Sequence, residues 1–118
     1  MLTEDRYRSI LAKQLAMNEK TWARLRELGL TDKTEVQLDF LYYASTESDA
    51  EDLRVFLVDE TDYEVGVNPE ANSGDRWIVS GHTQKTTISK EILDEWVDWM
   101  VAAGFDHQSE FDGWGTSV

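Results

Sequence analysis

The sequence contains no cysteine, and this absence removes several kinds of site at once. Disulfides, thiolate zinc sites, iron–sulfur clusters and cysteine nucleophiles all require a thiol. The chain also lacks the run of about 18 apolar residues that a membrane-spanning helix needs. Its first ten residues, MLTEDRYRSI, lack the apolar stretch of a secretory signal. We therefore expect a cytoplasmic protein without a membrane segment.

Basic residues are scarce: 11 Lys and Arg face 24 Asp and Glu in 118 residues, which gives a net charge of −13. The first 28 residues hold six of the bases and carry +2, so the remainder carries −15. A surface of that sign repels phosphate backbones and attracts basic partners. Composition therefore argues against direct nucleic-acid binding and favours a basic protein partner, with solubility as the alternative reason for the acidity.

Three segments have the periodicity of amphipathic helices. The first covers residues 3–28, with apolar positions at steps of three and four, and is expected to stop at Gly29. The second begins near Thr46 and the third at Ser89, because both side chains can cap a helix N-terminus. Gly104 is expected to end the third helix. The predicted apolar face of that helix comprises Ile92, Trp96, Trp99 and Ala103, with Leu93, Val97 and Met100 beside it.

Four segments read as strands because apolar residues alternate along them or cluster between turn signals. The order of elements is helix, strand, helix, strand, strand, helix, strand, which is that of two split βαβ units. We predict an α+β, ferredoxin-like sandwich: a four-stranded antiparallel sheet with two helices on one face. Residues 1–29 form the leading helix, and residues 30–118 form the sandwich. The predicted strands are residues 35–44, 63–67, 75–87 and 105–114, with a hairpin connection containing Pro69, Asn72 and Gly74.

Catalytic chemistry has little support in the sequence. Asp94 and Asp98 lie one helical turn apart on the polar side of the third helix, and no spacing singles out a pair of converging carboxylates. His82 and His107 are isolated, and neither a nucleophile elbow nor a phosphate loop is present. We therefore expect a protein without enzymatic activity, cofactor or metal. A hydrolase with an unrecognised carboxylate pair is the contrasting alternative.

Three aromatic residues on predicted strands, Tyr43, Trp77 and Phe111, suggest an RNA-stacking sheet, since RNA-recognition motifs share this topology. Such platforms are accompanied by arginine and lysine, whereas the middle strands contain only Arg76 and Lys85. Stacking of RNA on the sheet is therefore not favoured.

The most specific motif is FDGWGT at residues 111–116. It resembles the Tyr-Asp-Gly-Trp-Gly-Thr ending of the RraB family, protein regulators that bind and inhibit ribonuclease E. Segments such as LRELGLT, VQLDFLYY and DRWIV are similar in kind. The resemblance implies a ferredoxin-like fold, no catalytic activity or cofactor, and a ribonuclease as protein partner. The motif residues are Phe111, Asp112, Gly113, Trp114, Gly115 and Thr116.

Trp114 stands between Gly113 and Gly115, which suggests a backbone shaped around the indole. We expect the last strand to turn at Asp112 and Gly113 and to fold the indole back over the sheet edge or a gap beside the leading helix. Positive φ is expected to be available at both glycines. Loss of Trp114 would then cost about 3 kcal/mol or more. The alternative is an exposed binding hot spot.

The partner-binding residues are predicted on the second and third helices, which lie side by side in this fold. Acids on their outer faces would merge into one patch for a basic RNA-processing protein. An immunity- or antitoxin-type protein that blocks a basic toxin is the alternative. The candidate contact residues are Asp49, Glu51, Asp52, Asp59, Glu60, Glu91, Asp94, Glu95 and Asp98.

Overall fold

The computed structural model describes residues 2–70 and 76–116, which contain three helices and six strands. None of the helices in these ranges combines the length and the apolar character that a membrane crossing needs. The helices are α1 Glu4–Glu27, α2 Glu47–Glu60 and α3 Lys90–Asp106. The strands are β1 Glu35–Val36, β2 Asp39–Ala44, β3 Glu64–Pro69, β4 Trp77–His82, β5 Thr86–Thr87 and β6 Ser109–Gly115.

Four strands form one antiparallel sheet in the order β3-β4-β2-β6. Counted among the four strands of this sheet, β2 is the first in the chain, and it lies between the third, β4, and the fourth, β6. This is the ferredoxin-like arrangement. Helices α2 and α3 pack on the same face of this sheet, so the predicted fold class is confirmed. Pro69 pairs with Trp77 across the predicted hairpin. The turn residues Asn72 and Gly74 lie outside the described residues.

The core forms because β2 alternates between buried and accessible side chains. Phe40, Tyr42 and Ala44 point to the helical layer and are nearly inaccessible. The hydroxyl of Tyr42 donates a 2.7 Å hydrogen bond to the carbonyl oxygen of Met100 in α3, and burial raises the pKa of this phenol well above its usual value. The side chains that meet β2 from the helices are Ala50, Leu53, Leu57, Val97, Met100 and Val101.

Two of the predicted strands are interrupted. Residues 35–44 divide into β1 and β2, and residues 75–87 contain β4 and β5; β1 pairs with β5 in a separate two-stranded sheet. The two breaks face each other: the Leu38 N–H donates to Thr83 Oγ1 at 3.1 Å, and the Thr83 N–H donates to the Leu38 carbonyl at 2.9 Å. These two hydrogen bonds join the segment between β1 and β2 to the segment between β4 and β5, where both pass from one sheet to the other.

Gly104 does not end α3, which continues to Asp106, and β6 starts at Ser109 rather than at residue 105. Both predictions are therefore wrong. A Cβ at Gly104 would lie 2.7 Å from the Ser109 carbonyl oxygen and 2.7 Å from the ring of Tyr42. The glycine is therefore required by the close approach of α3 to the sheet and not by a helix cap.

The predicted apolar face of α3 is only partly buried. Ile92 is 47% exposed and Trp99 is 38% exposed, with Trp96 half-buried. Ala103, the fourth residue of the predicted face, is buried, and Trp96 packs against the core rings of Phe40 and Phe111, so about half of this face lies in the core. The side of α3 that enters the core is formed by Leu93, Val97, Met100 and Val101.

Helix α1 packs along α3 and begins and ends as predicted. Thr3 caps its N-terminus by accepting the N–H of Arg6, and Gly29 follows it with φ of 96°. Its apolar stripe faces the rest of the molecule, with Leu25 and the polar Asn18 buried. The helix also reaches β6, because Arg6 binds Glu110 through two hydrogen bonds of 2.8 and 2.9 Å.

Candidate protein-binding surface

Helix α2 carries acids at both ends. Thr46 caps its N-terminus by accepting the N–H of Asp49 at 3.1 Å, and acids in the first turn complement the helix dipole. The last turn, however, contains Asp59 and Glu60 and no base. Carboxylates at a C-terminus oppose the dipole at a cost on the order of 0.3–1 kcal/mol each. Helix stability therefore does not account for these two acids.

Helices α2 and α3 together hold eleven Asp and Glu against two bases, Arg54 and Lys90, a net charge of −9. Each base forms an ion pair with an acid of its own helix. Arg54 pairs with Glu51 and lowers the pKa of that carboxyl, and Lys90 pairs with Asp94. Among the described residues, the other predicted contact acids have no ion-pair partner. We define the acidic face as those of them that are exposed: Asp52, Asp59, Glu60, Glu91, Glu95 and Asp98.

The acidic face spans two helices that touch through aromatic side chains. Phe56 of α2 stacks on Trp99 of α3 with ring centres 5.8 Å apart and planes at 23°. Phe56 also lies 4.8 Å from the ring of His107, and the indole N–H of Trp96 donates to the Tyr63 hydroxyl at 2.9 Å. The stacking of Phe56 on Trp99 holds α2 and α3 side by side, so exposed acids of both helices flank this contact.

Asp94 points away from the acidic face and toward α1. Its carboxylate accepts hydrogen bonds from Asn18 Nδ2 at 3.0 Å and Lys90 Nζ at 2.9 Å. Partial burial raises the pKa of Asp94, but the hydrogen bonds from Lys90 and Asn18 together outweigh burial and lower it. Asp49 is half-buried beside Tyr43 at the other end of α2. Of the nine predicted acids, six are thus exposed without an ion-pair partner among the described residues. One of these six, Asp98, lies beside Tyr7 of α1, where burial and then this carboxylate raise the pKa of the Tyr7 hydroxyl.

Trp114 contacts the leading helix. Its indole N–H donates a 2.7 Å hydrogen bond to Asn18 Oδ1, and its ring packs edge-on against Trp96 at 6.2 Å. The predicted position beside the leading helix is confirmed. The predicted fold-back is wrong, because β6 continues as a strand through Gly115 with Trp114 opposite Phe40.

A bulge in β6 sets the direction of this indole. Phe111 pairs with Tyr42 and Gly113 pairs with Leu41, so Asp112 is an extra residue on the β6 side. Gly113 has φ of 140°, as expected for a glycine at such an irregularity. The expectation of positive φ at Gly115 is wrong, and a Cβ there would meet nothing within 4 Å.

The remaining motif residues also make internal contacts. Phe111 is buried and lies 5.1 Å from the ring of Tyr42. The Thr116 hydroxyl donates to the Gln37 carbonyl at 2.7 Å, while Asp112 is exposed. The motif therefore shapes β6 and its contact with α1.

The three aromatic residues of a possible RNA platform do not share a face. Phe111 and Trp77 pack on the core side of the sheet, while Tyr43 lies on the open side. The guanidinium of Arg76 lies 4.1 Å above the ring of Tyr43 and also pairs with Glu70. The sheet therefore does not present a row of stacking rings.

The enzymatic alternative would need converging carboxylates or a metal site. Within residues 2–70 and 76–116, no group of three or more His, Asp or Glu side chains is placed to hold a metal ion. An open concavity of about 730 Å³ is lined by Asp49 and Glu110. The hydrogen bond from Arg6 lowers the pKa of Glu110, so this carboxylate is ionised at neutral pH and is unsuited to act as a general acid.

The polar contacts of α1 were missed by sequence reasoning. The signal for one of them was Asn18, a polar residue in the middle of an apolar stripe, which indicates a buried hydrogen-bond partner. No comparable signal pointed to the pair of Arg6 and Glu110, because both residue types are common on surfaces.

A scan against models of protein families and a search of curated proteins each find no match to this chain. The resemblance to the RraB family therefore depends on the motif FDGWGT and on the order of elements.

Proposed function

We propose that the protein is a noncatalytic acidic regulator that binds and inhibits a basic RNA-processing ribonuclease, of the ribonuclease E type, through the acidic face. The observation that carries this proposal is the acidic face itself: six exposed carboxylates that have no ion-pair partner within residues 2–70 and 76–116, on two helices in contact. Unpaired carboxylates on adjacent elements add their fields, which act within about 8 Å at physiological salt. The setting we propose is the cytoplasm.

A binding role is favoured over mere solubility because large apolar side chains stand among the acids. Val55 is 44% exposed and Val58 42% on α2, and Ile92 and Trp99 are comparably exposed on α3. A surface that served only solubility would be expected to carry few such residues. Interfaces, by contrast, combine apolar and aromatic centres with charged rims.

The test is affinity capture from a lysate of the host, with and without nuclease, followed by identification of the retained proteins. The matched variants neutralise six acids each, so that they have the same net charge. One removes the acidic face through Asp52→Asn, Asp59→Asn, Glu60→Gln, Glu91→Gln, Glu95→Gln and Asp98→Asn. The control removes exposed acids elsewhere through Asp5→Asn, Glu27→Gln, Glu35→Gln, Asp39→Asn, Glu64→Gln and Asp112→Asn.

We expect the wild type and the control to retain a basic ribonuclease whether or not nuclease is added, and the face variant to lose it. Equal retention by the face variant would contradict the proposal, and so would loss of the partner on nuclease treatment. A basic toxin in place of a ribonuclease would identify the antitoxin alternative.

A further inference from the structure

We infer that the partner binds through a basic amphipathic helix whose apolar side lies on an open apolar stripe of α3. This inference rests on the proposed function and specifies the partner segment that the acidic face receives.

The open stripe consists of Ile92, Trp96 and Trp99, at positions i, i+4 and i+7 of α3. Ile92 is 47% exposed, Trp99 is 38% exposed and Trp96 is half-buried. The two exposed residues, Ile92 and Trp99, lie about 10 Å apart along the helix axis. Trp96 stands between them, packs inward against Phe40 and Phe111, and is only partly accessible. A partner helix with apolar residues at the same spacing can pack against this stripe over two turns.

A groove beside the stripe can receive an anchoring side chain. It has a volume of about 360 Å³ and lies between the start of α3 and the segment that follows α2. This volume is at the small end of the range for ligand sites, which suits one or two protein side chains. Its apolar lining comes from Leu38, Tyr63, Ile88, Ile92 and Trp96, with Lys85 at its polar edge.

Carboxylates flank the open stripe on two sides. On α3, each stripe residue is directly preceded by an acid of the acidic face, Glu91, Glu95 or Asp98. Across the contact of Phe56 with Trp99, helix α2 ends in further acids of that face. An apolar line bordered by carboxylates is complementary to a helix with an apolar line bordered by Lys and Arg.

The charge also decides between possible occupants. A second copy of this chain would bring a net charge of −13 to the acidic face and would be repelled. Nucleic acid is repelled for the same reason. A basic polypeptide segment is attracted, and the apolar stripe gives its helical form an advantage over an extended one.

The experiment compares two synthetic basic peptides of about 14 residues, or four helical turns. Both contain the same numbers of Leu, Ala, Lys and Arg. One places Leu at helical spacing so that the helix is amphipathic, and the other has a shuffled order without an apolar side. Affinity is measured by calorimetry at low salt, and the contact surface by shifts of backbone amide resonances.

The test variant is Ile92→Ser with Trp99→Ser, and Ile92→Ser alone serves as a second variant that leaves the stacking on Phe56 in place. The control is Met17→Ser with Leu28→Ser on α1, where the side chains are 45% and 56% exposed. Circular dichroism establishes that each variant is folded before binding is measured.

We expect the amphipathic peptide to bind roughly tenfold more tightly than the shuffled one. This advantage should disappear in the double variant, shrink in Ile92→Ser and persist in the control. Equal, salt-sensitive affinity for both peptides would overturn the inference and leave the proposed function standing. Failure of both peptides to bind would contradict the proposed function as well.

Discussion

The indole N–H of Trp114 donates a 2.7 Å hydrogen bond to the side-chain oxygen of Asn18, which lies 96 positions earlier in the chain. The amide nitrogen of the same Asn18 donates to Asp94, so one fully buried side chain joins β6, α1 and α3. The Asn18 amide has directional hydrogen bonds to two other elements, whereas an apolar side chain at this position would have none. We interpret this node as the feature that fixes where α1 docks.

Trp114→Ala is expected to lower the free energy of unfolding by about 3 kcal/mol, because it removes a half-buried ring and leaves the buried Asn18 oxygen without its donor. Trp114→Phe is the control: it keeps most of the packing and should cost about half as much. Urea denaturation measures both values. Unchanged stability in Trp114→Ala together with loss of partner binding would show that the indole is a contact residue instead.

The two glycines that flank Trp114 are expected to respond differently to substitution. Gly113→Ala should cost about 1–3 kcal/mol, because the residue has φ of 140°, which a side chain opposes. Gly115→Ala should leave stability unchanged or raise it by up to about 1 kcal/mol, since its φ is not positive and a Cβ would meet nothing within 4 Å. Thermal melts decide the matter, and equal losses at both positions would contradict the assigned backbone.

The docking of α1 is expected to weaken in acid. The pKa values of Asp94 and Glu110 are lowered in the folded state, so both carboxylates stabilise it fully above their ordinary pKa values of about 4. That contribution is lost as the pH falls through the lowered folded-state values. The urea concentration at the unfolding midpoint should therefore decrease as the pH is lowered below about 4. This decrease should be smaller in the double variant Asp94→Asn with Glu110→Gln. The exposed pair Asp32→Asn with Glu35→Gln should retain the wild-type profile; an unchanged profile in the first variant would refute the assignment.

The acids at the end of α2 are expected to be costly for stability and useful for binding. Asp59→Lys with Glu60→Lys should raise the free energy of unfolding by roughly 0.5–1 kcal/mol, because bases complement the helix C-terminus. The same change should weaken binding of the amphipathic basic peptide at least several-fold. Glu47→Lys is the opposite control, since a base in the first turn should destabilise the helix. Tighter peptide binding by the double variant would contradict the role of the acidic face.

Local signals in the sequence sufficed for most of the fold. Side-chain alternation predicted the four-stranded sheet, and the capping residues Thr46 and Ser89 marked two helix starts that the structure confirms at hydrogen-bond distances of 3.1 Å. Gly104 and the strand breaks at Leu38 and Thr83 could not be predicted this way. Each depends on how closely two elements approach in space, and the alternation of side chains carries no record of that distance.

The candidate site was predictable to a similar degree. The charge count identified α2 and α3 as acidic, but the direction of Asp94 depends on Asn18 of another helix. The spacing of Ile92, Trp96 and Trp99 predicted an apolar face on α3 but not that two of these side chains remain exposed. Helix α3 has apolar residues on more than one side, so periodicity alone does not determine which side is buried. Only the packing of Leu93 and Met100 against the sheet determines it.

The central claim, that the acidic face binds a basic partner, is tested most directly by the salt dependence of affinity for the captured ribonuclease. The dissociation constant is measured across a series of salt concentrations for the wild type and for the two six-acid variants. We predict affinity that falls steeply with salt for the wild type and the control, and weak, nearly flat binding for the variant without the acidic face. The same salt dependence in all three proteins, or none in the wild type, would contradict the account.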